Sequence, residues 1–354
     1  MTSKLPSDKI IRRKIQVVGG NTITVSLPRA WAKFNRLGKD PGEEQEISMR
    51  YHPDGSLIIT PININKLHRE REIIHQDPPK TLHEFKRLIL ADFVGGIDKI
   101  QILFRNQPDQ KLIREIQDFV TTRLVGFDLI NDGQIIEIIN MTQAPQFEVS
   151  RLLEILRVQS TQMIDKCFKW FEQANVDTSA LIEQIDHLEA NVDRQTNQMM
   201  RSLQLAVLNF WMAERIQLPP GEILYWSTVA KAIESASDLA VAIAHTAPIV
   251  PHSDFETLKR HLLKLAKTTS DLYSRSVSTF IEHDITEAHK ILIEERINSE
   301  ASQTRWTMET VTEMNTNVAL VIRHLEKISA YSRKIAEATL DCASARTAYH
   351  DMEE

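Results

Sequence analysis

Two pairs of carboxylates, Glu189/Asp193 and Glu234/Asp238, stand four residues apart in a glycine-poor part of the chain. In a helix that spacing puts both members of a pair on one face, a turn apart. Like charges so placed repel, and two such pairs on neighbouring helices repel further unless a cation lies between them. Clustered carboxylates suit hard or borderline metal ions. The plainer reading is two solvated helix faces, softened by Lys231 and Arg194. A second set of chemically capable residues lies near the other end. Arg12, Arg13 and Lys14 precede "QVVGGNTITVSLPRAW", which carries Thr22, Thr24 and Arg29. Lysine and arginine neutralise phosphates, and hydroxyls hydrogen-bond backbone oxygens or base edges. Here the plainer reading is a solvated sheet face that happens to be basic.

The charge distribution bears on that choice. Residues 1–39 hold nine Lys or Arg and one acid, Asp8, a net +8, so the remaining residues carry −14 in a chain whose total is −6. A basic segment on an acidic body suggests that one end meets a polyanion. The 354 residues, 42% hydrophobic and 25% charged, suit a soluble protein of two or three domains. Two widely spaced cysteines, Cys167 and Cys342, offer neither a disulfide framework nor a zinc motif and fit a reducing cytosol. The opening "MTSKLPSDKIIRRK" lacks the apolar core of a signal peptide, and no apolar run approaches the ~20 residues of a membrane span. A cytoplasmic location is expected.

The elements that must position these residues follow from glycine and periodicity. Nine of the ten glycines lie at or before Gly133, so long helices are expected beyond a boundary near Pro145. Before it, Ile11, Ile15 and Val17 alternate with Arg12, Lys14 and Gln16, and Ile23, Val25 and Leu27 alternate with Thr22, Thr24 and Ser26. Period-two alternation around "GGN" predicts a hairpin whose polar face joins Arg12, Lys14 and Gln16 to Thr22 and Thr24. Ser26 is the expected cap of a short helix with Pro28 in its first turn, carrying Arg29, Lys33 and Arg36. A second hairpin turns at Asp54-Gly55. So small a sheet is marginal alone and steadier intertwined with a second copy. Residues 80–142 read as helix, strand, helix and two strands around Gly133, with no nucleophile motif and no phosphate loop.

Beyond Pro145 the spacing becomes helical: Leu181, Ile185, Leu188 and Val192, then Val229, Ile233, Ala236, Ala240, Ile243 and Ala247. The segments 150–247 and 254–345 read as two copies of a three-helix unit, joined by "PIVPHSD". The scattered histidines, among them His75, His245 and His283, have no ligand spacing and read as surface or satisfied core residues.

The stretch "RKIQVVGGNTITVSLPRAWAKFNRLGKDPGEEQEISMRYHPDGSLIITP" resembles the AbrB-type swapped-hairpin domain. The resemblance implies an intertwined homodimer that binds DNA through Arg12, Arg13, Lys14, Thr22, Thr24 and Arg29. Relatives usually read Lys-Gly-Gln in the turn, where this chain has Gly19-Gly20-Asn21, so contact is expected from the strands and Arg29 rather than the turn. Residues 150–345 resemble PhoU, the phosphate-uptake regulator with two three-helix repeats. "HLEANVDRQ" and "AIESASDLAVAIA" are similar to its metal-binding motifs, which implies an iron or zinc cluster on Glu189, Asp193, Glu234 and Asp238. The second repeat departs from the pattern, with Asn298 four residues after Glu294 and Ala330 four after Glu326, so only the first repeat is expected to hold one.

The expected fold class is therefore α+β multidomain. A swapped-hairpin β domain (9–62) is followed by an α+β connector (80–142) and all-α tandem three-helix bundles (150–247 and 254–345). The expected function is a non-enzymatic, dimeric, DNA-binding transcriptional regulator of phosphate uptake, whose bundle senses state through a metal or docks a partner. The alternative is a signalling adaptor that docks a phosphate transporter or sensor kinase without touching DNA. A metal-dependent phosphohydrolase on the four carboxylates ranks behind both, since histidine support is missing.

Overall fold

The computed structural model describes residues 10–20, 22–35, 37–38, 46–51, 55–61, 70–76, 78–142, 148–172, 178–250, 252–305 and 315–350. Asn21, Arg36, Asp54 and Pro145, assigned above to turns, a helix and a boundary, lie outside the described residues. The chain forms two compact units, the second beginning at Glu70.

The first unit contains β1 (Gln16–Val18), β2 (Thr22–Thr24), α1 (Arg29–Phe34), β3 (Ile47–Tyr51) and β4 (Leu57–Pro61). β1 pairs antiparallel with β2, Val18 opposite Thr22, and β3 pairs antiparallel with β4, Ile47 opposite Pro61. Gly19 and Gly20 take φ values of +63° and +87°, the left-handed conformation that the tight turn demands. The first strand is shorter than its alternation suggests. Pairing stops at Gln16–Thr24, and the opposing chain runs on from Thr24 to Pro28, the N-cap of α1. Arg12 and Lys14 thus precede the ladder instead of lying in it. Ser26 does not cap α1: Pro28 occupies the N-cap position and no side chain bonds the free amides.

The second unit opens with β5 (Glu72–His75), α2 (Leu82–Val94), β6 (Lys99–Leu103), α3 (Gln110–Arg123), β7 (Phe127–Asp132) and β8 (Ile135–Asn140). The sheet order is β5-β6-β8-β7, with β5 parallel to β6 and the other neighbours antiparallel. Thr81 and Glu84 form a capping box at the start of α2. Phe85, Ile89 and Phe93 of α2 and Ile116 and Val120 of α3 pack on Ile100, Ile102, Ile136 and Ile138 of the sheet. β5 has no counterpart in the sequence reading, because four residues ahead of Pro78-Pro79 are too few to display a period.

Among the described residues seven α-helices follow: α4 (Val149–Glu172), α5 (Thr178–Leu208), α6 (Phe210–Arg215), α7 (Ile223–Thr246), α8 (His252–Glu282), α9 (Ile285–Arg305) and α10 (Thr316–His350). The stripes read from the sequence are the buried ones: Ile185 and Val192 on α5, and Val229, Ile233, Ala236, Ala240 and Ile243 on α7. A single cluster runs from Leu152 of α4 through α5, α7 and α8 to Ile328 and Cys342 of α10, so the helices read as two copies share one core. α9 joins through a smaller cluster of Leu272, Ala288, Ile291 and Ala336. Among the described residues no helix is long and apolar enough to cross a membrane.

Candidate functional site

The acidic residues come together as two helices converge. Glu189 and Asp193 lie a turn apart on α5, and Asp238 reaches them from α7. Each of the three offers an oxygen within 4.8 Å of the other two. Glu234, one turn before Asp238, does not join the group of three; its carboxylate accepts from Lys231 Nζ at 2.7 Å.

A cation from another element enters the same place. Arg123, in the last turn of α3, donates through Nη1 to Asp193 Oδ2 at 2.5 Å and holds Nη2 3.7 Å from Glu189 Oε2. One guanidinium does not balance three carboxylates. Burial and the Asp193 charge push Glu189 up to about 7, against the pull of Arg123. Burial, then Asp193 and Glu234, push Asp238 up to about 6, against the pull of Lys231. The centre is short of positive charge near neutral pH and can relieve that by taking up a proton or a cation. Three carboxylates without imidazole or thiolate suit a hard, oxygen-ligated cation better than zinc, which favours nitrogen and sulfur. Glu189, Asp193 and Asp238 are the residues that would hold it.

A second arginine unseen in the sequence fastens α5 to the sheet layer. Arg201 is 4% exposed; it donates to the carbonyls of Phe93 (2.7 Å) and Ile97 (2.8 Å) and to Asp98 Oδ1 (2.7 Å). Its plane lies over the Phe93 and Phe127 rings, at 5.1 and 4.9 Å. Asp98 also accepts from the Arg71 amide and from Asn140 Nδ2. Burial lowers the Arg201 pKa to about 10 in spite of Asp98, which leaves it charged at neutral pH. A lone arginine in "QMMRSLQL" hints at a buried cation, but Asp98 lies 103 residues away and Arg123 lies 70 residues from Asp193. Separations of that size carry no local signal.

In the first unit Arg12, Arg13, Lys14, Thr22, Thr24 and Arg29 are all exposed. The register puts Thr22 and Thr24 on the same face as Gln16, and Thr24 Oγ1 donates to the Gln16 carbonyl at 3.1 Å. The opposite face is apolar and just as open: Val17 is 68% and Ile23 71% exposed.

The remaining candidates resolve as structural. His75 meets Asp92 at 2.7 Å, His245 meets Asp186 at 3.2 Å, and His283 accepts from Arg346. Cys167 and Cys342 are buried, and burial pushes both thiols well above their usual range.

The chain matches no family model, and a comparison with curated proteins finds no match either.

Proposed function

We propose that the protein is a dimeric DNA-binding transcriptional regulator of phosphate uptake, with a PhoU-like helical region of two three-helix repeats that senses state or docks a partner. The observation that carries the proposal is the first hairpin. Its polar residues Gln16, Thr22 and Thr24 are exposed, Arg12, Arg13 and Lys14 stand exposed just ahead of the paired strands, and its apolar residues Val17 and Ile23 are 68% and 71% exposed. Two strands of three residues do not hold together alone in water. Interlacing with a second copy covers the apolar face, duplicates the polar face and the basic residues beside it about a two-fold axis, and presents a paired reader to the duplex. The phosphate assignment rests on the resemblance of the helical region to PhoU, supported by the carboxylate centre on α5 and α7. Ligand at that centre acts on DNA affinity only by favouring one dimer geometry over another.

The test is a gel shift on promoters of phosphate-uptake genes, across a salt series. Binding should weaken steeply with salt, by a slope of about 0.9 per phosphate contact, and Arg12→Ala with Lys14→Ala should flatten that slope. Binding indifferent to both salt and substitution defeats the groove reading. Failure to retain DNA, together with co-purification of a phosphate transporter or sensor kinase, favours the adaptor reading.

A further inference from the structure

Arg123 is a cation that the chain itself supplies to the acidic centre, and it comes from a different layer. Its guanidinium lies across the two carboxylates of α5, with Nη1 on Asp193 and Nη2 3.7 Å from Glu189. Asp238, which completes the group of three from α7, is exposed. Arg123 is also the last residue of α3. Beyond it the chain turns at Gly126 (φ +80°) and enters β7 at Phe127, whose ring lies 4.9 Å from the Arg201 guanidinium. Residues 123–127 are therefore fastened to α5 at both ends. At Asp193 the fastening is an ion pair about a quarter exposed; at Arg201 it is a side chain sealed from water. The two points lie eight residues apart on α5, about 12 Å of helix.

The fastenings differ in what can reach them. Arg201 is closed in by Phe93, Ile97 and Asp98, away from ions in solution. Arg123 instead lies on carboxylates that would hold a cation. We infer that a hard divalent cation at Glu189, Asp193 and Asp238 loosens Arg123, so that the end of α3 and the turn into β7 carry the filling of the centre to the α/β layer; this rests on the ligand-sensing role proposed above for the centre. Three carboxylates hold charge enough for both cations. The competition is for the oxygens of Asp193 and Glu189, and a doubly charged ion on them repels the guanidinium at close range. The coupling is reciprocal: by the factor that Arg123 weakens the hold on the ion, the ion weakens the hold on Arg123. Lys231, the cation beside Asp238, is held by Glu234 at 2.7 Å on α7 itself. Arg201 keeps the layer seated throughout, so the change is confined to residues 123–127.

The experiment treats the full chain with phenylglyoxal, which modifies free guanidinium groups faster than paired ones, and reads the rate at each arginine by mass spectrometry. Saturating manganous ion, an oxygen-ligated dication, should speed modification of Arg123 by about fivefold or more, the lower end of ordinary coupling between sites. Arg201 should not change. Asp238→Asn removes one ligand and keeps both partners of Arg123, so the same concentration of ion should give no such rise. An unchanged or slower rate at Arg123, in protein that binds the ion by calorimetry, overturns the inference and leaves the cation site standing. Absence of binding in the native chain and in Arg123→Gln alike overturns both together. Amide exchange gives a second readout. Arg123→Gln frees residues 123–127 in advance, so the ion should no longer raise their exchange; a rise that survives the substitution counts against Arg123 as the relay.

Discussion

Three carboxylates and one arginine set the behaviour of the α5–α7 centre, and its pH dependence has a definite sign. Glu189, about a quarter exposed, has its pKa raised from 4.5 to about 7. Between those values the native state holds a proton that the unfolded chain releases, so stability is lost as pH rises through that window. Metal-free protein should melt at a lower temperature at pH 8 than at pH 5.5, and Glu189→Gln should remove part of the difference. Adding ferrous ion at pH 8 should restore the loss in the native chain and do less for Glu189→Gln. A melting temperature whose pH trend is the same in Glu189→Gln as in the native chain would show that the carboxyl is not under this pressure. Arg123 enters the same balance. Its replacement by glutamine removes the one guanidinium from Asp193 and Glu189, and should steepen the pH trend as well as tighten metal binding measured by calorimetry.

The elements divide into those whose residues announce them and those that depend on partners elsewhere. α5 and α7 were legible because the stripe of every helical turn repeats locally; Ile185, Val192, Ile233 and Ala240 are buried as their spacing predicts. β5 was not legible, since its four residues gain their strand character from the edge of β6. The alternation of the first strand runs beyond its three paired residues, because pairing ends at Gln16 opposite Thr24 and alternation alone does not tell where a partner stops. Arg201 governs the joint between α5 and the α2–β6 turn. Arg201→Met leaves Asp98 buried without its cation and should cost about 3–5 kcal/mol in urea unfolding. Adding Asp98→Asn should recover part of it, since the stranded charge is then gone. Full stability in Arg201→Met alone would mean that the pair contributes little.

On the scale of the whole molecule, the two units differ in self-sufficiency. The unit from Glu70 onward encloses two large apolar cores, while the N-terminal unit leaves Ile15, Val17, Ile23 and Tyr51 open. A chain begun at Glu70 should therefore keep the helical melting transition of the full protein to within a few degrees while losing DNA retention. Collapse of that transition would place the hairpin unit inside the folding core of the rest.

Much was determined by the sequence alone: where charge concentrates, which face of each long helix is apolar, where the glycine turns fall, and that Glu189 and Asp193 share a helix face. All of these depend on neighbours within a few positions, where backbone geometry ties spacing to direction. Only the tertiary structure decided that Asp238 joins Glu189 and Asp193 while Glu234 pairs with Lys231, that Arg123 enters the acidic centre, and that Arg201 meets Asp98. Those contacts bridge long stretches of chain and depend on how closely two helices approach and on which way a sheet layer turns against them. Such choices are made by packing the whole core at once and leave no trace in the order of neighbouring residues.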